Sequence, residues 1–536
     1  MTTVVELLRQ GRRDEIWRKH CGFIDLSLKE FMEIQQELLV EQLQLLGRCE
    51  LGQKLMGVKV PASMDEFRQN VPLTTYRDYA PYLLEKREDI LPEKPHVWVC
   101  TSGRSGEYKR KWVPYTEKTG TKITGYVFAM FIFGSSERRD DFVFEEGDVT
   151  LATLAPPPYA SGWLARNMLK LFPFRYIPPL DKAEQMEFQE RIKEGFELAL
   201  KEGVDVFYGL SSVLVKIGEQ FEQQSGGMDK GLLLHPRAMV RVAKGLIKSK
   251  LAGRPLLPKD LWSVKAIAAG GTDTAVYRDR IIKYWGRSPV EAYAGAEAGL
   301  IAIQTWGTGL TFVPDMNLLE FIPEDELDKS SKDPSYRPGT LLLDQVIPDH
   351  VYEIVLTNFN GGPFVRYRLG DLLKITALDN EQAGKCIPQM VFHSRANDVI
   401  DLGSFAQLIE GSISQALTNA KVGYEDWVCT KEFEGTKPRP HLYIELKEDK
   451  FRNEEEIGRA IHQALQDLDP EYHDWAEMLD GQPPCVTLLS RGTFSRFTLE
   501  KQAAGADLAH LKPVRMKPSG VVLGDLLRLS EQRTVQ

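Results

Sequence analysis

Thr101-Ser102-Gly103-Arg104-Ser105-Gly106-Glu107-Tyr108-Lys109 is the stretch on which the fold turns. It comes directly after Val97-Trp98-Val99-Cys100, an apolar run of strand length. Small residues let the backbone curl so that several N–H groups point at one spot. The Ser and Thr hydroxyls add donors, and Lys109 adds a cation. Together these are the requirements of a polyphosphate cradle. Alone, such a stretch is also what a surface turn looks like, so its weight depends on the motifs downstream of it.

Two such motifs lie at wide intervals. In Tyr293-Ala294-Gly295-Ala296-Glu297, a tight small-residue turn would present a tyrosine face to a base and a carboxylate to Mg²⁺, a cation that favours carboxylate and phosphate oxygens. Just upstream, Gly270-Gly271-Thr272-Asp273 is a turn where backbone can approach a planar ring. In Tyr367-Arg368-Leu369-Gly370-Asp371, an Asp after a glycine turn can accept both hydroxyls of a ribose; a hairpin turn with a surface Asp reads the same way.

Around these motifs, residues 1–95 read as largely helical. Leu28, Phe31, Met32, Leu39, Leu43 and Leu46 recur on one helical face. From 96 to 375 short apolar runs alternate with amphipathic ones. Strands are expected at Val97–Cys100, Val149–Leu154, Val204–Tyr208, Val264–Ala269, Leu300–Ile303, Tyr352–Thr357 and Leu372–Ile375. Helices are expected at Gln185–Lys201, Ser211–Gln224 and Thr274–Trp285. This alternation predicts an α/β fold with helices on the faces of sheets. A boundary is expected near 395, giving domains 1–395 and 396–536. The second is a compact α+β unit: a helix at Phe405–Thr418, a hairpin of Trp427–Lys431 with Leu442–Leu446, a helix at Glu454–Leu468 and a strand at Val486–Leu489.

Bulk properties exclude several classes. The chain has 536 residues and a net charge of −9, with both signs mixed along its length, so a general nucleic-acid binder is not expected. Its six cysteines are scattered without a CxxC pair, which argues against structural zinc and fits a reducing cytosol. Tyr126–Gly134, the longest greasy stretch, is too short to span a bilayer. The expectation is a cytoplasmic protein, monomeric or weakly dimeric, with no membrane or nucleic-acid partner.

The order of the three motifs resembles that of the adenylate-forming superfamily, which includes acyl-CoA synthetases, luciferases and peptide-synthetase adenylation domains. Within it, the chain more closely resembles the auxin-responsive acyl-acid amido synthetases, the Gretchen Hagen three family, in a bacterial-type form. That resemblance rests on Val71-Pro72-Leu73-Thr74-Thr75-Tyr76-Arg77-Asp78-Tyr79, on Tyr293-Ala294, on Leu319-Glu320-Phe321-Ile322-Pro323, on Tyr352 to Gly361 running into Tyr367, on Arg395-Ala396-Asn397-Asp398, and on His510-Leu511-Lys512-Pro513-Val514-Arg515. It spans about residues 60 to 516.

The resemblance implies a large N-terminal domain holding ATP and an acid, and a small mobile C-terminal domain hinged near Asp398. It implies an ATP-dependent ligase that adenylates a small carboxylic acid and passes the acyl group to an amine, an amino acid above all, releasing AMP and pyrophosphate. Transfer to coenzyme A is the alternative enzyme. A non-catalytic nucleotide-binding or interaction protein on the same scaffold is the alternative of another class. Carried over by position, Ser102, Gly103, Ser105, Gly106 and Lys109 would meet the phosphates; Thr101 would belong to the same nucleotide site, and Arg104 either adds its fork of donors there or points to solvent. Gly270, Gly271 and Tyr293 would line the adenine, and Thr272, Ala294, Gly295 and Ala296 would belong to the same nucleotide site. Glu297 would hold Mg²⁺, Asp371 the ribose, and Arg395 the nucleotide near the hinge. Lys512 would stabilise the adenylation transition state. Tyr159, Trp163 and Leu210, which come after strand ends, are candidates for the acyl pocket, though any one of them can equally be core packing. The chain departs from the family pattern at Arg104 and Ala296, which stand where Ser or Thr is usual.

Overall fold

The computed structural model describes residues 3–101, 110–139, 141–186, 188–223, 235–270, 274–307, 309–333, 335–380, 384, 386–395, 398–402, 406–434, 437–447, 453–478, 481–503, 514–518 and 520–531. The chain divides into two compact units. One comprises Met1–Leu369 with Leu373–Phe392; the other comprises Gly370–Leu372 with His393–Gln536.

The first unit opens with helices. Leu28–Gly47 starts at Ser27, whose hydroxyl accepts from the Glu30 N–H while Glu30 reaches back to the Ser27 backbone, a reciprocal cap that fixes the helix start. Its buried face holds Phe31, Leu39, Leu43 and Leu46, as the periodicity predicts, but also Gln35 and Gln42. These two amides dock the helix. Gln35 Nε2 donates to the Asn317 carbonyl at 2.6 Å, and its oxygen accepts from the Leu319 N–H at 3.3 Å. Gln42 donates to the Gly362 carbonyl at 2.8 Å and accepts from the Gly361 N–H at 2.9 Å. Each buried amide thus has both polar ends satisfied.

An eleven-stranded mixed sheet forms the centre, in the order Asn317–Pro323, Val351–Asn358, Tyr367–Ala377, Gln389–Arg395, Leu310–Phe312, Gly299–Gln304, Val290–Gly295, Ala266–Gly270, Val206–Leu210, Val149–Ala152, Arg175–Ile177. The last five run parallel. Their near-continuous apolar composition reflects burial on both faces. Helix Glu117–Ser135 lies against this region and is buried nearly all round, which explains the greasy run at Tyr126–Gly134 without any membrane. Gly134 lets it approach closely, since a Cβ there would lie 2.7 Å from Val290 Cγ2. Among the described residues no helix is long and apolar enough to cross a membrane.

Strand expectations shift by a residue or two at most ends, but one reading changes. Tyr367-Arg368-Leu369-Gly370-Asp371 is not a turn: it lies within the continuous strand Tyr367–Ala377, where Gly370 takes φ +78°. Only a residue without a Cβ adopts that conformation cheaply, so the glycine kinks a strand rather than closing a hairpin.

The second unit has a three-stranded sheet. Tyr424–Glu434 and Lys437–Leu446 pair antiparallel, with Cys429 opposite Leu442, and Cys485–Leu489 joins parallel to the latter. Helix Glu454–Leu468 packs Ile457, Ile461 and Leu465 into a core with Trp427, Leu442 and Ile444. The helix expected from Phe405 begins instead at Glu410. Its intended first turn is occupied by Gln407–Leu408, which pairs with Ile400–Asp401 and buries Ile400 and Leu408; Phe405 lies outside the described residues. Residues 514–517 anchor to the edge of this sheet: the Cys429 N–H donates to the Arg515 carbonyl at 2.6 Å, and the Arg515 guanidinium reaches Asp426 at 2.8 Å and Glu410 at 3.0 Å.

Candidate functional site

Ser102 to Lys109, and with them Gly103, Arg104, Ser105 and Gly106, lie outside the described residues, as do Gly271, Thr272 and Lys512. The stems of the phosphate stretch are described. Val97–Cys100 pairs antiparallel with Trp112–Tyr115, Cys100 opposite Trp112, and the Thr101 N–H donates to the Lys111 carbonyl at 3.0 Å. The stretch therefore joins two strands of a hairpin. The Cys100 N–H donates to the Pro158 carbonyl at 3.0 Å, which ties the hairpin to the turn that ends strand Val149–Ala152. Tyr76, at the start of helix Tyr76–Leu83, clamps the other stem: its hydroxyl accepts from the Trp112 N–H at 2.9 Å.

Glu297 sits in the turn after strand Val290–Gly295 and is 7% exposed. Its carboxylate meets Lys111 Nζ at 3.3 Å and accepts from the Tyr367 hydroxyl at 3.3 Å. Its carbonyl accepts from Asn358 Nδ2 at 3.0 Å. The neighbouring Ala296 carbonyl accepts from the Tyr115 hydroxyl at 2.9 Å, so the missing hydroxyl at 296 leaves the turn anchored through its backbone. Burial, and then the Glu297 charge, push the Tyr367 and Tyr115 phenols well above their ordinary range, so both remain protonated donors. Lys111 also lies over the Tyr76 ring at 5.1 Å. Three distant segments thus converge on one buried carboxylate.

The scaffold behind Tyr367 is equally specific. Thr74 pairs with Tyr367 in a parallel bridge: the Thr74 N–H donates to the Arg366 carbonyl at 2.9 Å, and the Arg368 N–H to the Thr74 carbonyl at 2.8 Å. The Tyr79 hydroxyl accepts from the Val365 N–H at 2.8 Å. Arg366, 5% exposed, donates to fully buried Glu320 at 2.8 and 3.1 Å and to the Val71 carbonyl at 2.6 Å. The stretches at 71–79, 319–323 and 365–368, far apart in sequence, form one connected mass.

The other expected site residues occupy varied settings. Tyr293 is in a strand rather than a turn; its ring is buried and lies 6.2 Å from Phe392, and the turn begins only at Ala296. Ala294 and Gly295 end that strand, with Gly295 facing Gly299 across the turn. Gly270 is the exposed last residue of strand Ala266–Gly270. Trp163, near the start of helix Ala160–Leu171, lies edge-on to Tyr115 at 5.7 Å and against Gly120, where a Cβ would come within 2.3 Å of the indole. This connects the candidate acyl wall to the Glu297 turn through Tyr115. Tyr159 is buried, with the Arg110 guanidinium 5.7 Å from its ring centre. Leu210 ends strand Val206–Leu210, and its N–H donates to Thr153 Oγ1 at 3.1 Å. In the second unit, Asp371 and Arg395 pair at 3.6 Å.

Sequence reasoning missed Lys111, Tyr115 and Asn358. A signal for the first two existed: along an extended stem, Lys111, Val113 and Tyr115 share a face, and Val113 and Tyr115 are buried. Asn358 carried no local signal.

The donor set suits magnesium bound to a polyphosphate. No cluster of three or more His, Cys, Asp or Glu side chains able to hold a metal exists among the described residues. A single carboxylate fits an ion that takes its remaining ligands from phosphate oxygens and water.

Two family descriptions match the chain: the GH3 family N-terminal domain over residues 21–162 and the GH3 family central domain over residues 310–395. The chain is similar to the indole-3-acetic acid-amido synthetase GH3.17 of Arabidopsis thaliana, 26% identical over 242 residues, which is 40% of this chain and 38% of that protein. It is 31% identical over 243 residues to the indole-3-acetic acid-amido synthetase GH3.8 of Oryza sativa subsp. indica, covering 42% of this chain and 37% of that one. The match therefore spans under two-fifths of these relatives' length. The structure superposes on the AtGH3.15 acyl acid amido synthetase in complex with 2,4-DB with a TM-score of 0.67, at 17% identity over 95% of each chain. It superposes on a 2-hydroxyisobutyryl-CoA ligase in its postadenylation state with a TM-score of 0.54, at 13% identity over 99% of this chain and 94% of that one. Tyr76, Lys111 and Tyr115 fall in the first matched domain, and Asn358 and Tyr367 in the second. Residues 21–162 and 310–395 thus carry the GH3 family N-terminal and central domains, and the fold is the one shared with the solved acyl acid amido synthetase.

Proposed function

We propose that the protein is an ATP-dependent acid–amino-acid ligase: it joins a small carboxylic acid to AMP, then transfers the acyl group to an amino acid, releasing AMP and pyrophosphate. The observation that carries this reading is the buried Glu297, held between Lys111 and Tyr367 beside the stems of the 102–109 stretch.

In the first half-reaction a carboxylate oxygen attacks the α-phosphorus while pyrophosphate leaves. Both reactants are anions, so the barrier is dominated by charge repulsion and alignment. When bound, Mg²⁺ would supply charge neutralisation on the phosphate oxygens, with Glu297 as its protein ligand. Lys111 is the neighbouring cation. With nucleotide present, it can turn from Glu297 toward the phosphates, while Tyr367 and Asn358 keep the Glu297 turn in place. Asp371, paired with Arg395, supplies acceptors for ribose hydroxyls. Lys512 is assigned to the developing charge by position in the sequence. Trp163 and Tyr159 form an aromatic wall for the acid. In the second half-reaction the amine nitrogen attacks the acyl carbon, AMP leaves with the C–O bond electrons, and the nitrogen loses a proton. All six cysteines are free thiols, which supports a reducing cytosolic setting.

Pyrophosphate release is the test, measured on a panel of carboxylic acids with ATP and Mg²⁺, then with amino acids or coenzyme A added separately. The reading expects acid-dependent release and an amide product with an amino acid. Thioester formation with coenzyme A alone would assign the acceptor differently. ATP binding without turnover on any acid would make the protein a nucleotide binder.

A further inference from the structure

Helix Pro236–Leu251 has no part in the chemistry above, and its outer face is unlike that of a solvated helix. It packs inward through a narrow stripe of Ala238, Val242, Gly245 and Ser249, at positions i, i+4, i+7 and i+11. The opposite side should then be polar. Instead it presents Met239, Val240, Leu246, Ile247 and Leu251, which are 51%, 54%, 43%, 60% and 84% exposed. Large exposed side chains that recur on one face of a helix are not the scattered singles normal for a protein surface.

The charge on this helix is one-sided. It carries five basic residues and no acidic one, in a chain whose net charge is −9. Arg237, Arg241, Lys244 and Lys248 form a continuous row, again at i, i+4, i+7 and i+11, along one flank of the apolar face; Lys250 falls among the apolar side chains, between Met239 and Ile247 around the helix. Arg241 is committed inward, donating to the Leu200 carbonyl at the end of helix Phe188–Glu202. Arg237, Lys244, Lys248 and Lys250 form no ion pair among the described residues. Beside the row lies an open cleft of about 490 Å³, lined by Lys201, Arg237, Arg241, Lys244 and Lys248 and by two carboxylates, Glu202 and Asp260, which are paired with Arg175 and Arg254.

We infer that this helix is a peripheral docking surface for an anionic phospholipid bilayer. The helix lies in the interface plane, sinks Met239, Val240, Leu246, Ile247 and Leu251 toward the acyl boundary, and sets its basic flank and the cleft against headgroup phosphates, with the Lys250 ammonium extending along its stem to the same level. Apolar residues on one face with lysines and arginines at its margins are what such a surface requires. The net acidity of the chain conceals it, because the positive charge is local. Two other occupants fit less well. A second copy docked antiparallel by two-fold symmetry would place the basic row against its own image. An acidic protein helix is usually held in an apolar groove, whereas here the apolar residues form a convex ridge and the cleft beside it is basic.

The experiment is sedimentation of the full chain with vesicles of phosphatidylcholine alone and of phosphatidylcholine mixed with phosphatidylserine. Binding is expected only to the mixed vesicles, and is expected to weaken as salt is added. Lys244→Gln with Lys248→Gln should lower the partition coefficient roughly 30-fold, from the usual contribution of a lysine near an anionic surface. Ile247→Glu with Leu251→Glu should abolish binding. Both positions are exposed, and an unchanged thermal midpoint would show that the fold is retained. No binding to mixed vesicles, equal binding to neutral ones, or binding unaltered in both variants would overturn the inference. So would retention on immobilised polyglutamate, or a dimer abolished by the Ile247/Leu251 variant, in the absence of vesicle binding.

Discussion

Glu297 draws its neighbourhood from very different places in the chain: Lys111 is 186 residues away, Tyr367 is 70 and Asn358 is 61. If the carboxylate is the magnesium ligand, Glu297→Gln keeps the shape of the turn and removes its charge. Acid-dependent pyrophosphate release should then fall about 10²–10³-fold, the usual cost of losing one preorganised group. Lys111→Met should cost a similar factor. The double variant should lose less than the product of the two, because the residues touch. Single-variant rates near wild type would remove both residues from the chemistry. His20 supplies a prediction about stability. It is 8% exposed, its ring lies edge-on to Phe128, and its Nε2 has no hydrogen-bond partner among the described residues. Burial, with Lys19 adding to it, lowers its pKa to about 4. The unfolded chain therefore binds a proton near pH 6.5 that the folded chain refuses. Stability from this group is full above that pH, falls as pH drops toward 4, and by then has lost about 3 kcal/mol. Urea titrations at pH 7 and pH 4.5 should show His20→Leu losing less stability than wild type over that interval. Equal losses would place the proton elsewhere.

At the scale of elements, local spelling was a good guide where the determinant is local. Helix Thr274–Trp285 and strand Val97–Cys100 lie where the sequence places them. So does helix Glu454–Leu468, because its cap and apolar period belong to one short window. The Glu297 turn was legible for the same reason. What was not legible depends on partners. Gln35 and Gln42 look like solvent-facing residues until the carbonyls they dock against are known. Helix Glu117–Ser135 is buried on every face from Tyr126 to Ser135, so that part has no period to detect. Tyr367–Asp371 reads as a turn ahead of a strand at Leu372–Ile375 because Gly370 usually marks one, yet the strand runs through it from Tyr367 to Ala377. The buried Arg366–Glu320 pair belongs to the same class: nothing local announces it, and it fastens three distant stretches. Glu320→Gln leaves the guanidinium short of a counter-charge and should cost about 3–5 kcal/mol in urea unfolding, as broken buried pairs do. A loss below about 1 kcal/mol would show that the pair is dispensable. Gly162 makes a backbone contact of similar weight. A Cβ there would lie 2.4 Å from the Ala155 carbonyl oxygen and 2.5 Å from Pro156 C, neither of which can swing aside as a side chain would. Gly162→Ala should displace helix Ala160–Leu171, and with it Trp163. It should change the ranking of accepted acids as well as lower the thermal midpoint. An unchanged acid ranking would separate that helix from the acyl pocket.

For the whole molecule, the proposal of acyl activation followed by amide formation rests on the two matched GH3 domains and the convergence on Glu297. Glu297 and Lys111 lie in the first unit, Asp371 and Arg395 pair within the second, and Lys512 is the cation proposed for the adenylation transition state. Lys512→Ala should therefore depress adenylation about 10²–10³-fold, and adenylation at the wild-type rate would remove that assignment. The most direct measurement is mass spectrometry of the purified protein incubated with ATP, Mg²⁺ and mixed carboxylic acids, first without and then with amino acids. The account predicts an acyl-adenylate in the first incubation, replaced by an N-acyl amino acid and AMP in the second, with both products lost in Glu297→Gln. ATP bound but unconsumed, with no acyl-adenylate from any acid, would contradict it.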